Sequence, residues 1–124
     1  MTGHENILFV DDEQMIVEVA DQLLRQLGYR VMIAHGGKEA LDIYRKSSEE
    51  IEMVILDMIM PDLSGGEVYD RLKKMNPGVK VLLCSGYSID GQANEILKRG
   101  CNGFIQKPFN VARFSQTIRD ILDQ

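Results

Sequence analysis

Three aspartates and a lysine stand out in this 124-residue chain, because each closes a short apolar run. "ILFVDDE" carries Ile7–Val10 straight into Asp11 and Asp12, with Glu13 next; "MVILD" ends in Asp57; "FIQK" ends in Lys107; and "VLLCS" ends in Ser85. Carboxylates brought together repel, by about 4 kcal/mol for a pair at 4 Å and an effective dielectric near 20. Proton sharing or a bound cation relieves that repulsion. An oxygen-only donor set with no neighbouring His or Cys suits a hard ion, Mg²⁺ above all, which keeps part of its water shell. The expected metal group is therefore Asp11, Asp12 and Asp57, completed by backbone and solvent.

Each residue also has a plainer reading. Asp11 or Asp12 alone would serve as a helix N-cap. Asp57 could start the turn before Met60-Pro61, Ser85 a helix or turn, and Lys107 could be a solvated surface cation. Only their joint placement argues for chemistry, and that depends on the elements carrying them.

Five apolar runs recur, Ile7–Val10, Val31–Ala34, Val54–Leu56, Val79–Cys84 and Phe104–Ile105, near-continuous rather than alternating. That is the pattern of strands covered on both faces. Helical spacing fills the gaps: Ile16, Val19, Ala20, Leu23, Leu24 and Leu27 before Gly28, then Ala40, Leu41 and Tyr44, then Val68, Leu72 and Met75, and finally Val111, Phe114, Ile118 and Ile121. The segment from about Ser88 to Arg99 is weaker, with Gly91 early and only Ala93, Ile96 and Leu97 as its stripe; it is expected to be the most mobile helix. Strand–helix alternation five times over predicts an α/β fold, a doubly wound parallel sheet of five strands flanked by five helices. Ligands of such sheets bind beyond the carboxyl ends of the strands, where most of the polar residues above, counted together with His35 after the second strand, are expected to converge.

The bulk figures narrow the function classes. One domain is expected over 1–124, with 1–5 a frayed lead, and a chain of this size buries roughly two-thirds of its unfolded surface. A net charge of −5 speaks against a direct nucleic-acid or anionic-membrane surface. No apolar run approaches the roughly 18 residues of a membrane span. Cys84 and Cys101 make no metal or redox spacing, and two free thiols without a secretion signal favour a cytoplasmic setting.

The ordered set Asp11-Asp12, "LDMIMPDLSG" with Asp57, Met60, Pro61 and Gly65, "LLCSGYS" with Ser85, and "GFIQKPF" with Phe104, Lys107 and Pro108 resembles the receiver domains of two-component response regulators over nearly the whole chain. The resemblance implies strand order 2-1-3-4-5, with Asp57 as phosphoacceptor for a phosphohistidine on a histidine kinase or histidine phosphotransfer protein. It implies direct Mg²⁺ ligation by Asp12, help from Asp11 largely through water, and ligation by Asp57 and the backbone carbonyl of Ile59. Ser85 takes the place of the hydroxyl switch, Phe104 that of the aromatic switch, and Lys107 that of the cation paired with the phosphoryl group, followed by a cis bond to Pro108. The helix 4–strand 5–helix 5 face is expected to change on phosphorylation. The chain is expected to be no enzyme towards outside substrates, assisting only its own phosphorylation and dephosphorylation, and to be a monomer or a weak phosphorylation-dependent dimer.

Phe104 lacks the hydroxyl of the tyrosine often found there, and "MPDLSG" differs slightly from the commoner acidic loop, a departure expected to matter little. "CSGYS" is similar to the segments of receivers attached to hybrid sensor kinases. Two other classes compete. An aspartyl-nucleophile hydrolase of the haloacid dehalogenase type needs a second acid where Ile59 stands. A flavodoxin-like FMN carrier needs a Gly/Ser/Thr phosphate loop where "VDDEQM" stands. Ile59 and Tyr87, two positions beyond Asp57 and Ser85, are bulky enough to shield an acyl phosphate. Replacing both with small polar residues is expected to quicken phosphoryl loss, followed by phosphate release; an unchanged decay rate would remove the shielding idea.

Overall fold

A computed structural model describes residues 3–86, 91–107 and 110–124. The order is β1 (Asn6–Val10), α1 (Gln14–Gln26), β2 (Arg30–Ala34), α2 (Gly37–Ser47), β3 (Met53–Asp57), α3 (Gly65–Met75), β4 (Val81–Ser85), α4 (Gly91–Lys98), β5 (Gly103–Gln106) and α5 (Val111–Leu122). The strands form one parallel sheet in the order β2-β1-β3-β4-β5. The architecture implied by the resemblance is thus the observed one.

Both faces of the sheet are covered, so successive strand residues go to different cores. Leu8, Val10, Val54, Leu56, Val81 and Leu83 pack with Ala40, Leu41 and Tyr44 of α2, Val68, Tyr69 and Leu72 of α3, and Ala93 and Ile96 of α4. Ile7, Phe9, Met53, Ile55, Leu82, Cys84 and Ile105 pack with Val17, Ala20 and Leu24 of α1 and Phe114, Ile118 and Ile121 of α5. This is why the strands read as continuous apolar runs. The middle strands β3 and β4 are buried throughout, whereas the edge strand β5 is only partly so. Cys84 and Cys101 are free, buried thiols.

Local chemistry sets the helix ends. Gly28, at φ +97°, follows α1; its N–H donates to Arg25 O, and Tyr29 N–H donates to Leu24 O, closing the helix with a glycine in the left-handed region. Ser64 opens α3 with a capping box: its hydroxyl accepts from Glu67 N–H, and the Glu67 carboxylate accepts from Ser64 N–H. Gly65 is required by close approach, since a Cβ there would lie 2.7 Å from Asp57 O and Met58 Cα. Among the described residues α4 spans eight, fewer than any other helix; Ser88–Asp90, where the sequence suggests that it begins, lie outside them.

The expected frayed lead is tied down from Gly3 onward. Gly3 N–H donates to Leu27 O. Arg119 of α5 holds Glu5 through its two terminal nitrogens, Nη1 at 3.0 Å and Nη2 at 2.6 Å, and also reaches Asp123 and Tyr29. The sequence places Glu5 and Arg119 too far apart for helical or hairpin spacing to connect them. These charge-assisted bonds hold the Glu5 carboxyl down at about 2, against an ordinary 4.5. A group with a depressed native pKa stabilises the fold above its unfolded value and loses that contribution as pH falls. Glu5→Gln is expected to cost about 1.5 kcal/mol at neutral pH, in line with a hydrogen bond to a charged group. Parallel denaturant titrations of variant and wild type should show that gap closing as pH drops from 4.5 towards 2.

Candidate functional site

The carboxyl ends of β1, β3 and β4 and the residue after β5 meet in an open cleft of about 450 Å³ lined by Asp12, Glu13, Asp57, Ile59, Ser85, Gly86 and Lys107. Parallel pairing and register produce the convergence. Val10 lies opposite Leu56, Asp57 opposite Cys84, and Ser85 opposite Gln106, so the polar residues that end each strand arrive side by side.

Neither aspartate of the doublet caps α1. The N-cap is Glu13, and its side chain makes no capping bond. Asp11 instead turns inward: it is fully buried, with Oδ1 accepting from Glu13 N–H at 2.9 Å and Oδ2 accepting from Lys107 Nζ at 2.5 Å. Lys107 also donates to Asp57 Oδ1 at 3.1 Å, so one ammonium bridges two buried carboxylates. Asp12 remains exposed. Carboxylate oxygens of Asp11, Asp12 and Asp57 lie within 4.8 Å of one another. Asp57 does not cap α3 either, because Ser64 performs that task.

Three acids against one lysine leave the cleft short of positive charge. Burial and the neighbouring Asp11 charge push the Asp57 carboxyl up to about 6, in spite of Lys107. Burial works against the Lys107 ammonium, yet the Asp11 bond and the Asp57 charge hold it above its usual range. An oxygen-rich, under-compensated pocket open to solvent fits Mg²⁺ on the chemistry of its donors.

The remaining residues expected at the site are distributed as follows. Ser85 is buried at the end of β4, and its carbonyl accepts from Lys107 N–H at 2.7 Å, linking the hydroxyl-bearing strand to the lysine. The Ile59 side chain is 59% exposed beside Asp57. Phe104 is half-buried against the cluster shared by α2, α3 and α4. His35 does not join the cleft, its N–H and ring facing Glu39 in the first turn of α2. Tyr87 and Pro108, with the expected shield and cis bond, lie outside the described residues.

Glu13 and Gly86 line the cleft without having been singled out as site residues. Their adjacency to Asp12 and Ser85 is the only signal in the sequence. Asp62 is likewise unmarked by the apolar pattern, standing in a loop and not at a strand end. Its carboxylate accepts from the N–H groups of Gly37 and Lys38, at the start of α2, and from its own neighbour Leu63.

Residues 7–119 match the family model described as the response regulator receiver domain. Sensor kinase CckA of Brucella abortus is 30% identical over 124 residues, which are all of this chain but 13% of that protein. Across the first three curated relatives the chain spans 13%, 27% and 49% of their length. A response regulator receiver domain protein from Clostridium thermocellum superposes with a TM-score of 0.91 at 30% identity, covering 96% of this chain and 94% of that one. TrrA from Thermotoga maritima, solved with Mg²⁺ and BeF, gives 0.84 at 30% identity over 94% and 98% of the two chains.

Removing the bridging ammonium leaves buried carboxylates unpaired. Lys107→Ala is expected to lose about 3 kcal/mol of stability without divalent cation. Saturating Mg²⁺ should return part of that loss, as read from denaturant midpoints with and without the ion.

Proposed function

This chain belongs to the response regulator receiver domain family, and on that premise we propose that Asp57 is its phosphoacceptor. The domain is a signalling module of two-component systems, and its partner in this reading is a phosphohistidine on a histidine kinase or histidine phosphotransfer protein. The observation that carries the reading is Asp57 itself: a buried carboxylate at the end of a central strand, bonded to Lys107, with Asp11 and Asp12 beside it and an open cleft in front.

In the proposed step one Asp57 oxygen forms an O–P bond while the phosphorus–nitrogen bond to the donor imidazole breaks. The electron pair returns to that nitrogen, and the leaving ring takes a proton from solvent. Such a transfer asks for positioning and for neutralisation of charge on the equatorial oxygens. Asp12, Asp57 and the Ile59 carbonyl would hold Mg²⁺, with Asp11 acting through water. Bound there, the ion supplies positive charge to the transferring group. The Mg²⁺ and BeF held by the Thermotoga maritima relative support this pairing of ion and phosphoryl position. Lys107 already rests against Asp57 and is placed to pair with an added phosphoryl oxygen. Ser85 supplies the hydroxyl that closes on another, and Phe104 and the helix 4–strand 5–helix 5 face respond as a population shift. The module thereby assists its own phosphorylation and dephosphorylation.

The two competing classes draw no support. Ile59 occupies the position where a hydrolase needs its second acid, and carboxylates line the place where a flavin phosphate would sit. Among the described residues no helix is long and apolar enough to cross a membrane.

Incubation with acetyl phosphate and Mg²⁺ is expected to add one phosphoryl group to the wild type and none to Asp57→Asn, read by intact mass. Labelling that persists in the variant would overturn the assignment.

A further inference from the structure

The loop between β3 and α3 carries Ile59, whose carbonyl is a metal ligand in the reading above, and it is attached at two places. At its base Met58 N–H donates to Cys84 O at 3.0 Å, and Gly65 N–H donates to Met58 O at 2.8 Å, closing the loop on itself. At its tip Asp62 reaches across to α2: Oδ1 accepts from Gly37 N–H at 3.1 Å and from Leu63 N–H at 2.8 Å, and Oδ2 accepts from Lys38 N–H at 3.0 Å. Met58 and Met60 are buried on either side of the exposed Ile59, so the segment between base and tip has little slack.

A helix that needed only a cap would carry it at the residue before its first turn. In α2 that residue is Gly36, which has no side chain to offer. The glycines there make room for the visiting loop instead. A Cβ on Gly36 would lie 3.1 Å from Asp62 Oδ2, and one on Gly37 would lie 2.8 Å from both Leu63 Cβ and Val68 Cγ2. The start of α2 is thus shaped to receive Asp62 and Leu63. The three N–H donors, Lys38 foremost, also hold the Asp62 carboxyl below its ordinary range.

We propose that Asp62 is a positioning residue for the metal-bearing side of the cleft: by clamping the tip of the β3–α3 loop to α2, it fixes the Ile59 carbonyl where a divalent cation is to be bound beside Asp57. The proposal rests on the phosphoacceptor reading for its purpose. Its mechanics, however, are a property of the metal-free fold. Asp62 does not line the cleft; it would act through the loop, as partners outside the coordination shell do for metal ligands.

Three readouts test it. In metal-free protein, Asp62→Ala should raise amide hydrogen exchange at Gly37 and Lys38 and across residues 58–63. In a Mg²⁺ titration it should weaken affinity about tenfold, the low end for losing an outer-shell partner. The rate of labelling by acetyl phosphate should fall at limiting Mg²⁺ and recover at saturation. Asp62→Asn keeps Oδ1 for Gly37 and Leu63 and is expected to restore most of the affinity. Arg119→Ala, at the far end of the molecule, should lower stability with Mg²⁺ affinity intact. If Asp62→Ala loses stability but binds Mg²⁺ as the wild type does, Asp62 is only a helix cap and the proposal fails. It fails equally if Asn behaves like Ala, because charge rather than the clamp would then be responsible. Should Asp62→Ala not fold, Asp62→Asn decides through its lost Lys38 contact: faster amide exchange at Lys38 and across residues 58–63 together with a few-fold weaker Mg²⁺ affinity supports the clamp, whereas unchanged affinity, or weaker affinity with exchange unchanged, overturns it. If the wild type is not phosphorylated at Asp57, the functional reading falls, while the exchange and titration results still judge the clamp.

Discussion

One ammonium among three carboxylates is the constraint around which the cleft is arranged. Lys107 arrives from the end of β5 and bonds Asp11 of β1's carboxyl end and Asp57 of β3 at once. Burying a carboxylate without a partner costs several kcal/mol, so Asp11, with no exposed surface, depends on that bond and on Glu13 N–H. The compensation is incomplete by construction, and the raised Asp57 pKa of about 6 is the residue of it. A site built this way has an appetite for one more positive charge. It also holds its lysine in a position from which an anion added to Asp57 can draw it.

The sheet makes this arrangement possible at small cost. Parallel strands deliver all their carboxyl ends to one edge, and helix N-termini follow there, each with unsatisfied N–H groups that favour anions. Most of these ends are used locally. Ser64 caps α3, Asn110 caps α5 through Arg113 N–H, and Asp62 serves α2 from a distance. Glycine appears where backbones must nearly touch, above all Gly65 against the carbonyl of Asp57. The core has a different duty: two apolar layers seal the sheet so that its polar edge is rigid.

Much of this was legible in the sequence, and the boundary is instructive. Buried parallel strands announce themselves as continuous apolar runs, and Asp57, Ser85 and Lys107 stand directly at or after their ends. Spacing alone left the strand order open, since many orders share the same alternation; the resemblance supplied it. What stayed hidden depends on long-range side-chain choices. Asp11 could have capped α1, yet the helix starts two residues later, because the inward position lets it meet Lys107. His35 ends a strand as the others do but pairs with Glu39 four residues on, a local attraction that the convergence rule ignores. Glu5 looked like part of a loose lead until Arg119, from the last helix, is placed beside it.

The cleft and the α4 side of the molecule are joined by backbone rather than by side chains alone. The Lys107 N–H bond to Ser85 O ties the residue after β5 to the end of β4. Two pairs back along the same ladder, Leu83 lies opposite Phe104, and Phe104 packs among the α2–α4 residues. At its far end α4 is held to α3: Tyr69 Oη donates to Arg99 O at 3.3 Å, and Arg99 pairs with Asp70 at 2.9 Å. Ala93 and Ile96 of α4 are buried in the same cluster, so this helix and Phe104 share one apolar layer.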